Sequence, residues 1–342
     1  MQEPQYRKGK RRIRPFAQSA RVTSRGCSRR LQRVITDFGA DLPYAQVMDK
    51  LVEHYDIVIG ESTIRRVTLH HAGKIHQRSE GMPQGLPKRV AAGLPFIGQI
   101  DGTMVPTVRS DPQQSDKRKG KSLQWQEAKV SLAHAYGSME RVYAATLGQP
   151  DMAGKQLRAC AKRAGFGRGH HLHGLGDGAL WIASQVKQRF GSQGSYTLDF
   201  YHVCEYLDAA AKAIETEPAA QKVWLDRQKL RLKTDGPYQF LDELSAHQEG
   251  AEVGNDNAPV RRCHRYLSER ITQLDYPRAI AQNLPIGSGE IESAHRYVVQ
   301  KRLKLPGAWW LADNAQRMLS LRVNRLNGEW SGYWATNYLY VA

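Results

Sequence analysis

Residues 42–71 carry apolar side chains at a spacing that is typical of two short helices. In the first helix these positions lie three to four residues apart, at Ala45, Met48, Val52 and Tyr55. A break containing a glycine follows at 56–61, and Ser62 is expected to cap the second helix. Along that helix one side is formed by Ile64, Val67 and His71. The pattern therefore predicts two helices joined by a glycine-containing turn.

From residue 94 onward the pattern changes to short apolar runs that predict strands alternating with helices. The predicted strands are 96–105, 128–135, 141–147, 172–176 and 196–200. Helices are predicted at 151–165 and 179–190, over most of 201–270, at about 290–304, and after a cap at Asp313. This order indicates an α/β domain in which an antiparallel meander leads into parallel crossovers. It is the ribonuclease H-like order, with an all-α insertion before its final part.

The predicted domain organisation has five parts. They are a basic arm at 1–34, a helical region at 35–92, a ribonuclease H-like core at 93–204, an all-α insertion at 205–284, and the C-terminal part of the core at 285–342. A linker rich in glycine and proline, residues 73–93, separates the helical region from the core.

Composition narrows the class of protein. The 342 residues are 41% hydrophobic, which is enough to bury a core and excludes a wholly disordered chain. No apolar run reaches the ~18 residues that a membrane span needs, and the N-terminus lacks the apolar part of a signal peptide. The four cysteines form no CxxC pair, so a structural zinc site is not expected. We expect no membrane partner and an intracellular location.

Positive charge is concentrated at one end of the chain. The formal net charge is +17, and residues 1–34 hold eleven Lys or Arg against one Glu, or +10. A basic tail can serve solubility alone, but a polyanion gains more from it, because each cation that neutralises a phosphate releases a counterion. A membrane surface would require an amphipathic apolar stripe beside the charges, and none is present. Nucleic acid is the predicted partner.

The helical region directly follows this arm and suits a helix-turn-helix, although any helical hairpin of a small bundle has the same pattern. Further basic clusters lie in the loop 109–121 and after residue 295. The candidate DNA-binding residues are Arg11, Arg12, Arg14, Arg29, Arg30, Arg65, Arg66, Lys119, Lys121, Arg296, Lys301, Arg302 and Lys304.

Two aspartates occupy positions where strands turn or end: Asp101 in IDGT and Asp177 in GDGA. Asp-Gly is a common turn pair, so a single instance would indicate little. Two half-buried carboxylates at strand ends need cationic partners, and Mg²⁺ is a suitable one because it prefers oxygen ligands. In GSGEIES, Glu290 and Glu292 would project about 200° apart on a helix, so only one is expected to face a metal and the other to be solvated.

Four segments together carry a family resemblance: IDGT, GDGALWI, LDFYHVCEYLD and GSGEIESAHRYVVQKRLKLPGAWW. From about Leu31 to Gly328 the chain resembles bacterial insertion-sequence transposases of the Mutator-like DDE group, most closely the ISKra-type family. The resemblance implies Asp101, Asp177 and Glu292 as the catalytic and metal-binding triad, with Glu290 ranked second. It implies two Mg²⁺ ions, for which Mn²⁺ would substitute. It also implies double-stranded DNA as the partner and a location in the bacterial cytoplasm, at the nucleoid.

The same resemblance assigns Asp199-Phe-Tyr-His202 to the family's [C/D]-x-x-H signature. His202 is expected either to fix a strand-to-helix junction or to orient substrate near the metals. The implied reaction is cleavage of transposon ends and joining of the 3′-OH to target DNA. Two ends must meet, so a homodimer or higher oligomer on DNA is expected. The alternatives are a non-catalytic DNA-binding repressor derived from a transposase and a structure-specific nuclease on the same fold.

Overall fold

A computed structural model describes residues 5–9, 11–15, 26–111, 113 and 120–336. The chain divides into two compact units. Unit one comprises residues 1–81, 104–126 and 296–342, and unit two comprises residues 82–103 and 127–295. Among the described helices, none is long and apolar enough to cross a membrane.

The described elements begin, in chain order, with β1 (Tyr6–Lys8), β2 (Arg11–Ile13), α1 (Arg29–Asp41), α2 (Tyr44–Tyr55), α3 (Glu61–Ser79), β3 (Phe96–Ser110), β4 (Lys121–Ala135), β5 (Val142–Thr146), α4 (Pro150–Ala164), β6 (Leu172–Gly176), α5 (Leu180–Phe190) and β7 (Gly194–Leu198). They continue with α6 (Phe200–Ile214), α7 (Pro218–Thr234), α8 (Tyr238–Ser245), α9 (Pro259–Ser268), α10 (Tyr276–Ala281), α11 (Gly289–His295), a π-helical turn (Arg296–Gln300), α12 (Lys301–Leu303), α13 (Ala312–Leu326) and α14 (Trp330–Thr336).

The central sheet has the strand order β5-β4-β3-β6-β7. Strands β4 and β5 are antiparallel, whereas β6 runs parallel to both β3 and β7. The mixed α/β class predicted from the sequence is confirmed, and so is the antiparallel meander that leads into parallel crossovers. Strands β3 and β4 are each fifteen residues long and extend into the predicted loop 109–121. The first residues of β4 are exposed on both faces, so this part of the strand lies outside the buried core by which the sequence predicted 128–135.

Apolar residues fill one face of the sheet in unit two. Phe96 and Ile100 of β3 and Leu172 of β6 pack there against α4 and α5, where Leu157 and Val186 are also buried. A second core joins the helices α6–α10 and buries Leu207, Phe240 and Tyr276 among others. The predicted all-helical segment after β7 is therefore observed.

The helical region before the sheet differs from the sequence prediction in two details. Helix α3 begins at Glu61 after an N-cap at Gly60, which has no side-chain hydrogen bond to offer, so the predicted cap at Ser62 is wrong. The buried positions of α2 are Val47 and Leu51, whereas Val52 and Tyr55 are about half exposed. The buried stripe lies one residue out of phase with the predicted one because Val47 and Leu51 pack in the same cluster as Ile64 and Val67 of α3.

Helices α1 and α3 approach each other closely at Gly39. A Cβ atom at this glycine would lie 2.3 Å from Oγ1 and 2.9 Å from Cγ2 of Thr68, which is fully buried. Gly73, inside α3, has ordinary space instead: its nearest neighbour would be Cδ of Arg317 at 3.6 Å. The two glycines therefore provide a matched pair.

We expect Gly39→Ala to lower the free energy of unfolding by about 1–3 kcal/mol, because the new methyl group clashes with a stiff buried threonine. Gly73→Ala should raise it by about 0.5–1 kcal/mol, because alanine is the better helix former and has room. Urea unfolding followed by far-UV circular dichroism measures both. An equal gain from the two substitutions would contradict the close approach of the helices.

Candidate active site

Three aspartates lie at the level where the parallel pairing of β3, β6 and β7 ends. In the register of the sheet Gln99 of β3 pairs with Leu175 of β6, and Gly176 of β6 pairs with Leu198 of β7. Asp101 and Asp177 each lie two residues beyond the first pair, and Asp177 and Asp199 each lie one residue beyond the second pair. Asp177 and Asp199 follow the last residues of their strands, whereas Asp101 lies inside β3, which continues to Ser110. The register therefore brings the three aspartates to one level of the sheet, at the carboxyl ends of β6 and β7.

Asp101 and Asp177 also share a face of the sheet. Residues paired across parallel strands point the same way, and side chains alternate along each strand. Since Gln99 and Leu175 are paired, Asp101 and Asp177, each two positions further on, continue on their face. Ile100, one position away, points into the opposite, apolar face against α4 and α5. Helix α11 covers the face of the aspartates, because the backbone N–H of Ile291 donates to Oε1 of Gln99 at 2.9 Å.

A histidine of α11 lies against Asp101. Oδ1 of Asp101 accepts from the N–H of Gly102 at 2.7 Å, and Oδ2 lies 3.0 Å from Nε2 of His295. His295 is only 4% exposed, and neither ring nitrogen has an aligned hydrogen-bond partner among the described residues. The imidazole is thus packed at the carboxylate with its polar atoms uncommitted.

The turn after β6 is held by its own aspartate and by the helical insertion. Oδ1 of Asp177 accepts from the N–H of Ala179 at 3.0 Å. The hydroxyl of Tyr266 donates to the carbonyl of Asp177 at 2.7 Å, and Nε of Arg270 donates to the carbonyl of Gly178 at 2.9 Å. Burial raises the pKa of Tyr266, so its hydroxyl keeps the proton that it donates. Gly178 has φ +88°, and a Cβ there would lie 2.3 Å from the Tyr266 hydroxyl, so only glycine fits.

The segment leading into α11 is tied to two strands. Oδ2 of Asp199 accepts hydrogen bonds from the backbone N–H of Ser288, at 2.9 Å, and from its hydroxyl. Nε2 of His173, on β6, donates to the carbonyl of Pro285 at 2.8 Å. Burial lowers the pKa of His173, so this ring is a neutral donor. Together with the bond from Ile291 to Gln99, these contacts fix where α11 begins.

The two glutamates of α11 have different surroundings, in agreement with the predicted divergence of their side chains. Glu290 accepts from Nε2 of His134 at 2.8 Å and from Nη2 of Arg141 at 2.6 Å. Partial burial alone would raise the pKa of Glu290, but these two hydrogen bonds and charges outweigh it and lower the pKa to about 2. Glu292 is exposed and stands three residues before His295, hence on the side of α11 that meets Asp101. The solvated carboxylate is therefore Glu292.

Metal binding at this edge has partial geometric support. Carboxylate oxygens are the ligands that Mg²⁺ prefers, and Mg²⁺ is commonly held by one or two of them together with water and phosphate oxygens. Asp101 and Asp177 meet that requirement, and the uncommitted ring of His295 adds a polar group beside them. Within the described residues, however, no three His, Cys, Asp or Glu side chains converge as a metal cluster. Glu292 therefore does not form a closed triad with the aspartates in this structure.

The signature residues Asp199 and His202 have separate roles. Asp199 is 4% exposed and caps α6, accepting from the N–H of Tyr201 at 2.7 Å while its other oxygen holds Ser288. The strand-to-helix junction is thus fixed by Asp199. The ring of His202 contacts Glu205 and lies edge-on to Tyr206 and Tyr266.

The predicted DNA-binding residues are distributed over both exposed and buried positions. Exposed side chains are those of Arg14, Arg30, Arg65, Lys121, Arg296, Lys301 and Lys304, whereas Arg29 and Arg66 are half-buried. Lys119 and the side chains of Arg11 and Arg12 lie outside the described residues. Arg65, Arg66 and Arg317 line an open cleft of about 770 Å³ in unit one.

The position of Arg302 contradicts its predicted role in DNA binding. It is 3% exposed, its Nε donates to the carbonyl of Gly39 at 3.1 Å, and its guanidinium lies over the rings of Tyr44 and Trp310. A phosphate cannot reach a guanidinium in this position, so the predicted DNA contact is wrong and the residue is part of the packing of unit one. The sequence gives no sign of this, because Arg302 stands between Lys301 and Lys304 in a basic run.

Sequence reasoning overlooked several residues that shape the site. His295 was detectable, because its spacing of three from Glu292 places both on one helix face. Gln99, His134, Arg141, Tyr266 and Arg270 were not, since each acts on a partner far away in the chain.

Comparison with known proteins gives no family assignment. No protein-family model matches the sequence, and the search of curated proteins gives no match. Among solved structures, the chain is similar to the Drosophila P element transposase strand transfer complex, with 10% identity over 94% of this chain and 84% of that one and a TM-score of 0.31. It also matches NurA with manganese, with 11% identity over 81% of this chain and 66% of that one and a TM-score of 0.14. These TM-scores are too low to carry an argument about fold or function.

The surroundings of Glu290 predict a pH-dependent contribution to stability. Because the pKa of Glu290 is lower in the folded chain than in the unfolded chain, its ion pairs stabilise the fold above the ordinary glutamate value and lose that effect as pH falls from about 4.5 to about 2. We expect Glu290→Gln to lower the free energy of unfolding by about 1–3 kcal/mol at pH 7 and by progressively less through this window. Glu292→Gln, the matched control, should change it little at any pH. Urea unfolding at pH 7, 4 and 3 measures the difference, and a pH-independent effect of Glu290→Gln would contradict the assignment.

Proposed function

We propose that this chain is a magnesium-dependent DNA transposase that cleaves transposon ends and joins the resulting 3′-OH to target DNA. One observation carries the proposal: Asp101, inside β3, and Asp177, directly after the adjacent parallel strand β6, lie at one level and on one face of the sheet, under the helix that bears Glu292. The third acid is thus on the side of the sheet where the proposal needs it.

The architecture is consistent with a ribonuclease H-like catalytic domain. The central strand β3 is flanked by the antiparallel meander on one side and by two parallel strands on the other, and a helical insertion precedes the helix of the third acid. This arrangement agrees with the order inferred from the sequence. Of the transposase motifs named there, IDGT lies inside β3, GDGALWI at the end of β6 and GSGEIES at the start of α11.

Asp101, Asp177 and Glu292 are the residues proposed to hold Mg²⁺, or Mn²⁺ in its place. When bound, divalent ions in such a site activate the attacking oxygen and stabilise the leaving oxygen of a phosphodiester. The protein side chains would hold these ligands in place. His295 packs against one oxygen of Asp101, and Tyr266 and Arg270 hydrogen-bond to the turn that carries Asp177. Glu292 is exposed, and its side chain has several rotatable bonds. No protein nucleophile is required for this reaction.

The basic residues are proposed to bind double-stranded DNA. In the cleft of unit one, Arg65 is exposed and the half-buried Arg66 lines the cleft with it. The cleft is formed by the start of α3, the helix that would enter DNA in a helix-turn-helix. Because both transposon ends are processed together, we propose that the active form on DNA is a homodimer or larger.

The decisive experiment follows cleavage of DNA that carries the element's terminal sequence, in Mg²⁺ or Mn²⁺. We expect the unaltered chain to cut, and Asp101→Asn, Asp177→Asn and Glu292→Gln each to lower the rate by at least a hundredfold while DNA binding remains. Asp226→Asn is the matched control, because Asp226 is an exposed acid of α7 that pairs only with Lys222 among the described contacts. Gel analysis of labelled ends and a strand-joining assay measure the products.

A second function has one observation in its favour. Because no three-ligand metal cluster forms among the described side chains, a non-catalytic repressor that binds the same DNA is the alternative. Equal absence of cleavage in the unaltered and substituted chains, with intact binding, would establish the repressor and overturn the transposase. Cut products that never join target DNA would indicate a nuclease.

The cleft of unit one also predicts the salt dependence of DNA binding. Arg65→Ala and Arg66→Ala should each weaken binding to duplexes of any sequence and make the slope of log affinity against log salt shallower by about one. Lys222→Ala, an exposed cation already paired with Asp226, should leave the slope unchanged. Fluorescence anisotropy from 50 to 300 mM salt measures it, and identical slopes for all variants would remove this cleft from the interface.

A further inference from the structure

Unit one exposes large apolar side chains where β3 and β4 extend beyond the rest of the sheet. Met104, Leu123 and Trp125 on these strands are 45%, 47% and 56% exposed. Trp309 and Leu311, in the segment that joins β3 as an extra bridge, are 62% and 46% exposed. Single exposed apolar residues are ordinary on a protein surface, but a group of them usually marks a binding site.

The bridge fixes the direction of the two residues beside Trp310. Thr107 pairs in parallel with Trp310, the N–H of Val108 donates to the carbonyl of Trp310 at 2.8 Å, and both Thr107 and Trp310 are buried. Since side chains alternate along an extended chain, Trp309 and Leu311 point to the opposite side. That side carries Met104 and Val108, the alternate positions of β3.

The residues of β4 lie on the same side. A Cβ atom on Gly102 would lie 2.1 Å from Oε1 of Glu127, so even-numbered residues of β3 and odd-numbered residues of β4 share a face. At the far end the N–H of Asp111 donates to the carbonyl of Gly120, which keeps the same pairing. Leu123 and Trp125 are odd-numbered and therefore join this face. We call the set Met104, Leu123, Trp125, Trp309 and Leu311 the tryptophan face.

The charge around the tryptophan face indicates which class of ligand it fits. In the sequence, residues 109–121 contain five Lys or Arg and two Asp, a net charge of +3, and the exposed Lys121 alternates onto the same face as Leu123. A second copy of the chain, whose net charge is also +17, would bring the same sign of charge against this face, which is unfavourable. Aromatic rings beside cations are instead the combination that binds single-stranded nucleic acid, with bases stacked on the rings and phosphates on the cations. A duplex hides its base faces within its own stack.

We propose that the tryptophan face binds the unpaired bases of single-stranded DNA, with Trp125 and Trp309 as stacking platforms and Lys121 as a phosphate contact. This site is separate from the carboxylates and needs no metal. It goes beyond the proposed function, because it describes a mode of DNA binding that neither duplex recognition nor cleavage requires.

The test measures anisotropy of a fluorescent twenty-residue oligo(dT) and of a duplex of the same length, with the full chain in EDTA so that no cleavage occurs. Trp125→Ala and Trp309→Ala should each weaken oligo(dT) binding about fivefold or more and leave duplex binding unchanged. Trp125→Phe should retain most of the affinity, because a phenyl ring still stacks. Tyr238→Ala is the matched control, since Tyr238 is an exposed aromatic residue of α8 at 68%.

Three results would overturn the proposal. The first is oligo(dT) affinity unchanged in both alanine variants, and the second is equal loss of oligo(dT) and duplex binding. The third is an oligomer that the alanine variants dissociate without a change in oligo(dT) affinity, which would make the face a contact between copies. Unchanged circular dichroism and melting temperature are expected, because both side chains are more than half exposed. Because this binding test is carried out in EDTA, it does not depend on metal-dependent cleavage. A failure of the cleavage experiment would therefore not change the oligo(dT) result.

Discussion

The candidate site depends on how helix α11 is held across the carboxyl ends of the sheet. Asp199 at the end of β7 binds Ser288, Gln99 of β3 binds the N–H of Ile291, and His295 at the last turn lies against Asp101. The first two contacts are buried hydrogen bonds, so losing either would leave a donor or acceptor unsatisfied. Because the three contacts join residues that are 89 to 194 positions apart, they fix the helix relative to strands that the chain completes much earlier.

The acidic residues in this region fall into two groups that differ in their hydrogen-bond and ion-pair partners. Glu290 is neutralised by Arg141 and His134, and Asp199 accepts hydrogen bonds from backbone groups and a hydroxyl on both oxygens. These acids stabilise the fold. Asp101, Asp177 and Glu292 retain exposure, and no arginine or lysine pairs with them among the described contacts. The proposed divalent cation would supply positive charge beside these three carboxylates.

The helical insertion adds a constraint on the second aspartate. Tyr266 and Arg270 of this region hydrogen-bond to the carbonyls of the Asp177-Gly178 turn, and the stacked rings of Tyr206 and Tyr266 carry His202 on their edge. The signature histidine is therefore linked to Asp177 through a tyrosine. The hydroxyl of Tyr196, on β7, also accepts from the N–H of Gly178 at 3.2 Å, so the helices after β7 add to a contact that the sheet already provides.

The sequence by itself determined the α/β class, the strands that precede Asp101 and Asp177, and the divergence of Glu290 and Glu292, because periodicity and spacing act within a few residues. It did not determine which glutamate is neutralised or that Arg302 is buried under Tyr44 and Trp310. Nor did it reveal that the two adjacent tryptophans at 309 and 310 point to opposite sides, one exposed and one buried. Only the tertiary structure decided these points, because each depends on partners that are remote in the chain and adjacent in space.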